Sequence, residues 1–561
     1  MSTANLTVNS LREAIISAVQ AAQAAGALPA AEMPAFTIEI PADRSHGDLA
    51  ANAAMVSARA FHAAPRKIAE TILQYLDLTG THLQRCEIAG PGFMNFFYDR
   101  SFYAAVLREI QSAGEQYGHC DMGKGQKVLV EFVSANPTGP MHVGNARGGA
   151  LGDSLASVLQ AAGYTVDREF YINDAGNQIE KFATSLEVRY LQLFQEGIEM
   201  PEDAYHGQDI IDHAKNFAEK CGDKYVNVKP EARRAALVSY ALPLNIEGLE
   251  RDLLKYRIKY DRWFRESTLH ESGAVKDIVK QLTEKGHTYE QDGAVWFKAS
   301  AFGADKDFVL VRSNGLPTYV VPDIAYHYDK LVTRGYDKAI DVLGADHHGY
   351  VPRLKAALTA LGVDASRLDV VLMQMVFLVK DGERVKLSKR SGKAITLVTL
   401  LDEIPIDAAR FFFNLREANS PFEFDLDLAI DKSSQNPVYY VQYAHARICN
   451  ILKTLEGEGI VPAECSDADY ALLTAPEEIE LIHKLSLMTD ELGTAAKEYD
   501  PSRMTRYVYE VATLFHKFYN ACRVMNDNPA LTQARLSLCL ATQTVIRNIL
   551  TMFKITAPES M

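Results

Sequence analysis

Residues 127–164 read KVLVEFVSANPTGPMHVGNARGGALGDSLASVLQAAGY, and the fold turns on how this stretch divides. Val128 to Val133 is a β-branched and apolar run that predicts a buried strand. Pro137, Gly139 and Pro140 forbid a regular helix or strand, so the chain must turn tightly there. After Gly144 a helical pattern begins. Ala150, Leu151, Leu155, Val158 and Leu159 fall on one face, and Gly163 is placed to cap the end. Strand, loop and helix start form a phosphate-binding corner, because unpaired backbone N–H groups and the helix dipole point at the loop. Such a corner alone is common scaffold. His142-Val143-Gly144-Asn145 makes this one particular: an imidazole and a carboxamide share a turn, split by a glycine that lets a ligand approach the backbone.

The second half of the chain adds a basic loop, Val385 to Gly392, after an apolar strand from Val370 to Val379. Lys380, Arg384, Lys386, Lys389 and Arg390 crowd this loop, and Asp381 and Glu383 offset them only in part. Such a cluster calls for an anion. The two pieces resemble the HIGH and KMSKS signatures of class I aminoacyl-tRNA synthetases, here HVGN and KLSKR. The longer segments EFVSANPTGPMHVGN, YINDAGNQ, PTYVVPDIAYH, GADHHGY and DAARFFF narrow the likeness to the bacterial type of arginyl-tRNA synthetase. It covers nearly the whole chain. Leu387 replaces the methionine of the lysine-loop signature, and Lys389 is present where many arginyl enzymes lack the second lysine.

The chain of 561 residues is long enough for three to four domains, and its 48% hydrophobic and 23% charged content is ordinary for a globular enzyme. Seven scattered cysteines show no metal-ligand spacing, which suits reduced thiols in the cytoplasm. At the N-terminus Arg12 and Glu13 interrupt any apolar run. Leu11, Ile15, Ile16 and Val19 there describe an amphipathic helix, not a signal peptide. No run is long enough to span a bilayer, and a soluble monomer without a membrane partner is expected. The net charge of -14 taken alone opposes nucleic-acid binding, although binding depends on the local field along one face.

The expected fold is α/β. A doubly wound, Rossmann-like parallel sheet forms a catalytic unit over residues 122–425, with a helical insertion at about 185–260. Strands near Ala294–Phe297 and 308–312 continue this nucleotide fold. A small α+β unit precedes it over 1–115, and an all-α bundle follows over 432–561. In the first unit a helix carries Ala54, Met55 and Ala58, and Phe96 and Phe97 read as aromatic core.

Activating a carboxylate with ATP is an in-line displacement at the α-phosphorus, so catalysis is positioning and charge stabilisation. His142, Asn145, Lys386 and Lys389 are the candidate catalytic residues. Gly139, Gly144 and Ser388 join them around ATP and its Mg2+. No structural metal is expected: Asp346, His347 and His348 carry ligating groups but project in different directions from one turn. A guanidinium calls for fixed carboxylates, since its planar fork pairs with them bidentately. The resemblance puts these on Glu266 and Asp323, with Tyr319 near the stem, although Asp323 singly reads as a helix cap and Glu266 as a solvated acid. Glu131 can pair with the α-ammonium, and Ser134, Asn136, His142 and His347 orient the rest of the amino acid.

For tRNA, the resemblance implies an elbow contact through Phe93 and Asn95 in the first unit. Tyr440 and Tyr443 lie three apart on one helix face; they are either bundle seam or a stacking surface for anticodon bases. These expectations add up to an arginine–tRNA ligase using ATP, Mg2+, L-arginine and arginine tRNA. The rivals are a tRNA-independent adenylyltransferase of the same fold and an inactive tRNA-binding protein.

Overall fold

Five parallel strands form the centre of the molecule: β1 (Lys127–Phe132), β2 (Thr165–Ile172), β3 (Arg262–Arg265), β4 (Lys338–Gly344) and β5 (Leu368–Met373). Their order is β5-β4-β1-β2-β3. The chain therefore reverses direction between β1 and β4, and the crevice at their carboxyl ends is where such sheets bind ligands. The computed structural model describes residues 2–385 and 395–561. Helix α1 (Val143–Ala161) returns from β1 to β2. It lies so close to the sheet that a Cβ on Gly152 would sit 2.3 Å from Phe132 Cγ, and one on Gly149 2.8 Å from Ile258 Cδ1. Side chains there would push the helix off the strand.

Two sequence readings need correction. The segment 370–379 is not one strand: β5 ends at Met373, and Val376–Lys380 starts a second, small sheet with Glu383–Arg384 and Phe422–Asp425. Residues 294–297 and 308–311 do not extend the parallel sheet. With Thr288–Gln291 they form a separate antiparallel sheet that packs on helices Ala274–Glu284 and α2 (Val320–Tyr328). Apolar strand composition does not tell which sheet a strand joins. Between β2 and β3 lie three helices, Asn177–Leu191, Gln208–Cys221 and Pro230–Lys255. Helix α3 (Val351–Leu361) joins β4 to β5.

Ahead of the sheet, helix Thr3–Ala24 buries Leu11, Ile15 and Val19 and packs on helices Pro65–Tyr75 and Arg100–Ala113, in a unit that also holds a four-stranded antiparallel sheet. That sheet includes Leu49–Ala51 and Leu83–Ala89, two strands not apparent in the sequence. The helix expected across Ala54, Met55 and Ala58 shrinks to Ala53–Ser57. The chain closes in helices that include α4 (Pro437–Gly457), α5 (Ser502–Ala521) and α6 (Pro529–Met552). No helix among the described residues is long and apolar enough to cross a membrane.

Both flanks touch. Asn5 Nδ2 donates to Asp490 (2.9 Å) and Gln111 Nε2 to Ser537 (2.7 Å), joining the first unit to the bundle. The bundle in turn is anchored to α1 through buried Asp153, which takes Arg168 (2.8 Å), Arg410 (2.5 Å) and Lys554 (2.8 Å).

Candidate active site

At the exit of β1 the backbone enters the left-handed region, with Val133 at φ 70° and Ser134 at φ 41°. A β-branched residue there costs on the order of 1–3 kcal/mol, so the surroundings must impose the conformation. Two hydrogen bonds do so: Ser134 Oγ donates to Glu131 Oε1 (2.8 Å) and accepts from the Tyr171 N–H (3.1 Å). The turn thus folds Ser134 back over Glu131.

His142 caps α1, and Asn145 Oδ1 accepts from the His142 N–H (2.9 Å). The carboxamide holds the cap while the imidazole stays exposed. A Cβ on Gly144 would meet nothing within 4 Å, in contrast to Gly149 and Gly152 on the same helix. Packing does not require Gly144 to be glycine, and the space beside it is open. Gly139 is half-buried, and Asn245 Nδ2 braces the loop by donating to Pro137 O (2.9 Å).

Lys386, Ser388 and Lys389 lie outside the described residues. The chain that follows them pairs with the helix cap: the Leu397 N–H donates to Met141 O (2.9 Å), and Thr396 bridges His142. The crowding of cations in this loop is less than its composition suggests. Arg384 pairs with Glu423 (2.6 Å) and Lys380 lies 3.7 Å from Glu403, carboxylates supplied by other elements.

Beside the crevice the register places Asp341, Glu131 and Glu169 opposite one another on three neighbouring strands. All three are buried. Side chains from α2 and the π-helical turn that extends it, Asp329–Thr333, neutralise this row. Lys330, wholly buried, donates to Glu131 (2.5 Å) and Asp341 (2.9 Å). His327 Nε2 bonds Asp341 (2.6 Å), and Arg334 and the Tyr326 hydroxyl bond Glu169 (2.5 and 2.6 Å). Glu131, His327 and Asp341 bring ligand atoms within 4.8 Å of one another, yet the Lys330 ammonium already fills the cation's place between the two acids. Asp346, His347 and His348 are all exposed and do not join it.

Glu266 and Asp323 flank the same space, and neither follows its simple sequence reading. Glu266 is 7% exposed, not solvated. His270 Nε2 lies 3.3 Å from its Oε1, and the Asn173 amide, turned so that both its ends are satisfied, donates to Oε2 at 3.3 Å. Asp323 is not a cap, because α2 starts three residues earlier at Val320. Its Oδ2 accepts from the Tyr350 hydroxyl. Burial raises its pKa to about 6, although Tyr350 and His327 pull the other way; nearby Glu266 and Glu131 add to the rise. Tyr319 precedes α2, 57% exposed, with the Arg312 guanidinium 5.9 Å from its ring. Asn136 and His347 are exposed on the loops after β1 and β4.

The remote candidates separate. Phe93 is 42% exposed, whereas Asn95 beside it is buried at 6%. Phe96 is core, and Phe97 packs under Arg85, whose guanidinium lies 3.6 Å from the ring. On α4, Tyr440 is half-buried against His516 (4.6 Å), and exposed Tyr443 accepts from Arg447 Nη2 (2.9 Å). Lys330, His327, Asp341 and Tyr350 went unread in the sequence. Lys330 stands in an apolar run just past α2, and His327 and Tyr350 fall within the PTYVVPDIAYH and GADHHGY segments, but helical periodicity does not show a π turn.

A reversed parallel sheet, a histidine-capped helix at its switch point and a helical bundle behind define a class I aminoacyl-tRNA synthetase. The family model for the class I (R) tRNA synthetase catalytic domain matches residues 107–450. The arginyl tRNA synthetase N terminal domain matches 9–98, and the DALR anticodon binding domain 441–561. The arginine–tRNA ligase of Caldanaerobacter subterraneus subsp. tengcongensis is 54% identical over 551 residues, 98% of each chain. That of Acetivibrio thermocellus is 52% identical over 553 residues, again 98% of each. The Thermus thermophilus arginyl-tRNA synthetase superposes with a TM-score of 0.75, covering 99% of this chain and 100% of its own at 22% identity. The chain belongs to the arginyl-tRNA synthetase family, the arginine–tRNA ligases, whose members use ATP. A tRNA-independent adenylyltransferase is not favoured.

Proposed function

We propose that the crevice between β1 and β4 joins L-arginine to ATP, giving arginyl-adenylate and pyrophosphate, and then passes the arginyl group to the 2′-hydroxyl of the tRNA terminal ribose. The observation that carries this reading is the convergence of three carboxylates, Glu131, Glu266 and Asp323, with Glu131 on β1, whose exit loop leads to the His142 cap. Glu266 and Asp323 take the guanidinium, and Tyr319 lies along the stem. Glu131, held by Ser134 and Lys330, faces the α-ammonium. Asn136 and His347 orient the carboxylate for attack on the α-phosphorus.

His142 and the start of α1 donate to the phosphoryl oxygens as charge develops there. Asn145 acts mainly by holding the cap, and Gly144 leaves room under the nucleoside. Lys386, Ser388 and Lys389 hold the leaving pyrophosphate. Mg2+ arrives with ATP and offsets phosphate charge. Phe93 meets the tRNA elbow with Asn95 supporting the strand beneath it, and Tyr440 and Tyr443 stack on anticodon bases. The enzyme works as a cytoplasmic monomer.

Isothermal titration of Asp323→Asn with arginine and, separately, with ATP tests the site. Arginine is expected to bind at least tenfold more weakly, from about 2–5 kcal/mol for a broken desolvated charge pair, with ATP affinity kept. Equal weakening of both ligands would assign Asp323 a structural role.

A further inference from the structure

Asp323 presents its two oxygens unequally. Oδ2 is taken by the Tyr350 hydroxyl, and among the described residues no donor bonds Oδ1. We propose that Tyr350 is a specificity-determining positioning residue of the arginine site, fixing Asp323 so that Oδ1 alone meets a guanidinium N–H and Glu266 takes the second. This rests on the reading of Asp323 as a guanidinium ligand.

The placement of Tyr350 is rigid. It precedes α3 directly, its N–H donates to His347 O (2.9 Å), and Pro352 stiffens the turn that follows. One short turn after β4 therefore carries both His347 and Tyr350. The hydroxyl is a permanent donor, because burial and the neighbouring Asp323 push its pKa well above the usual value for tyrosine. A donor of this kind favours the ionised carboxylate. It has much to oppose. Glu131 faces Asp323 from β1, and Glu266 from the segment after β3. The Tyr171 ring faces it from β2, and on α2 itself His327 is engaged with Asp341 and the Asp323 carbonyl. Arg353 lies near Tyr350 on α3. Without the hydroxyl, Asp323 would hold its proton to higher pH and lose its fixed orientation.

Tyr350→Phe keeps the ring and removes only the hydroxyl. The full-length variant is titrated with arginine and with ATP between pH 6 and pH 8.5, alongside the unaltered chain and Asp323→Asn. Arginine affinity of the unaltered chain should fall as the pH drops through about 6. In Tyr350→Phe that limb should move upward by roughly one pH unit, with arginine about tenfold weaker near pH 7, the loss of one hydrogen bond to a charged group. The defect should shrink at pH 8.5, and ATP affinity should hold. A merely structural defect would weaken arginine equally at every pH and leave the limb in place; that result, or unchanged affinity, overturns the proposal. Full arginine affinity in Asp323→Asn would instead overturn the reading beneath it, whereas weak binding there with unaltered Tyr350→Phe removes Tyr350 alone. Circular dichroism of both variants guards against misfolding as the cause.

Discussion

Asp323 shows what a binding site costs the residue that builds it. Its pKa is raised to about 6 because burial disfavours its charge. The folded state is then the better proton binder between about pH 4 and pH 6, so ionising Asp323 lowers stability as the pH rises through that window. Above pH 7 the penalty is complete, and a shift of about two pH units limits it to about 3 kcal/mol. Asp323→Asn should therefore raise the midpoint of thermal unfolding at pH 7.5 and leave it almost unchanged at pH 4, while arginine binding weakens. A lower midpoint at pH 7.5 would mean that the carboxylate stabilises the fold. Read singly, Asp323 is an acid near a helix start; only the family resemblance marked it as a guanidinium partner. Its partner Tyr350 lies 27 residues away, and the Lys330 partner of Glu131 lies 199 away. Such pairings depend on the sheet order, which no local pattern encodes.

Helix α1 was legible from end to end because its information is local: a proline–glycine loop, a polar cap, then apolar residues at helical spacing. Its glycines were not distinguishable in the sequence, since close packing and open space leave the same letter. Gly152 faces Phe132 and Gly144 faces nothing. Gly152→Ala should then cost about 1–3 kcal/mol by overpacking, read as a lower urea midpoint. Gly144→Ala should keep or raise that midpoint, as alanine favours helix by about 1 kcal/mol, yet raise the KM for ATP. Equal urea midpoints for the two would show that α1 tolerates both. Several strands were legible as strands but not as members of particular sheets. Residues 294–297 and 308–311 carry the apolar composition of the parallel sheet and belong to an antiparallel one. The strand over 83–89 escaped because its exposed face is polar and its edge ends in a glycine turn.

Across the whole molecule, the first unit touches the bundle, and the bundle is fixed to α1 through Asp153. Arg410, in the DAAR segment, reaches Asp153 from the chain that follows the lysine loop. A tRNA held by both flanks would act on one connected body, and if it binds the arrangement competent for arginine activation more tightly it favours that arrangement. ATP–pyrophosphate exchange should accordingly be near background without tRNA and appear with arginine tRNA. Tyr440→Ala with Tyr443→Ala should weaken that response while arginine binding persists; full exchange by RNA-free enzyme would reject the coupling. The most direct measurement is the charging reaction itself. Purified chain is incubated with ATP, radiolabelled arginine and arginine tRNA, and acid-precipitable label is counted for the unaltered enzyme and for His142→Ala. The unaltered chain should charge tRNA, and His142→Ala should do so with kcat lower by about a hundred- to a thousandfold and little change in the arginine KM, the signature of one preorganised transition-state donor. Charging by His142→Ala at the unaltered rate would contradict the placement of the chemistry at the head of α1.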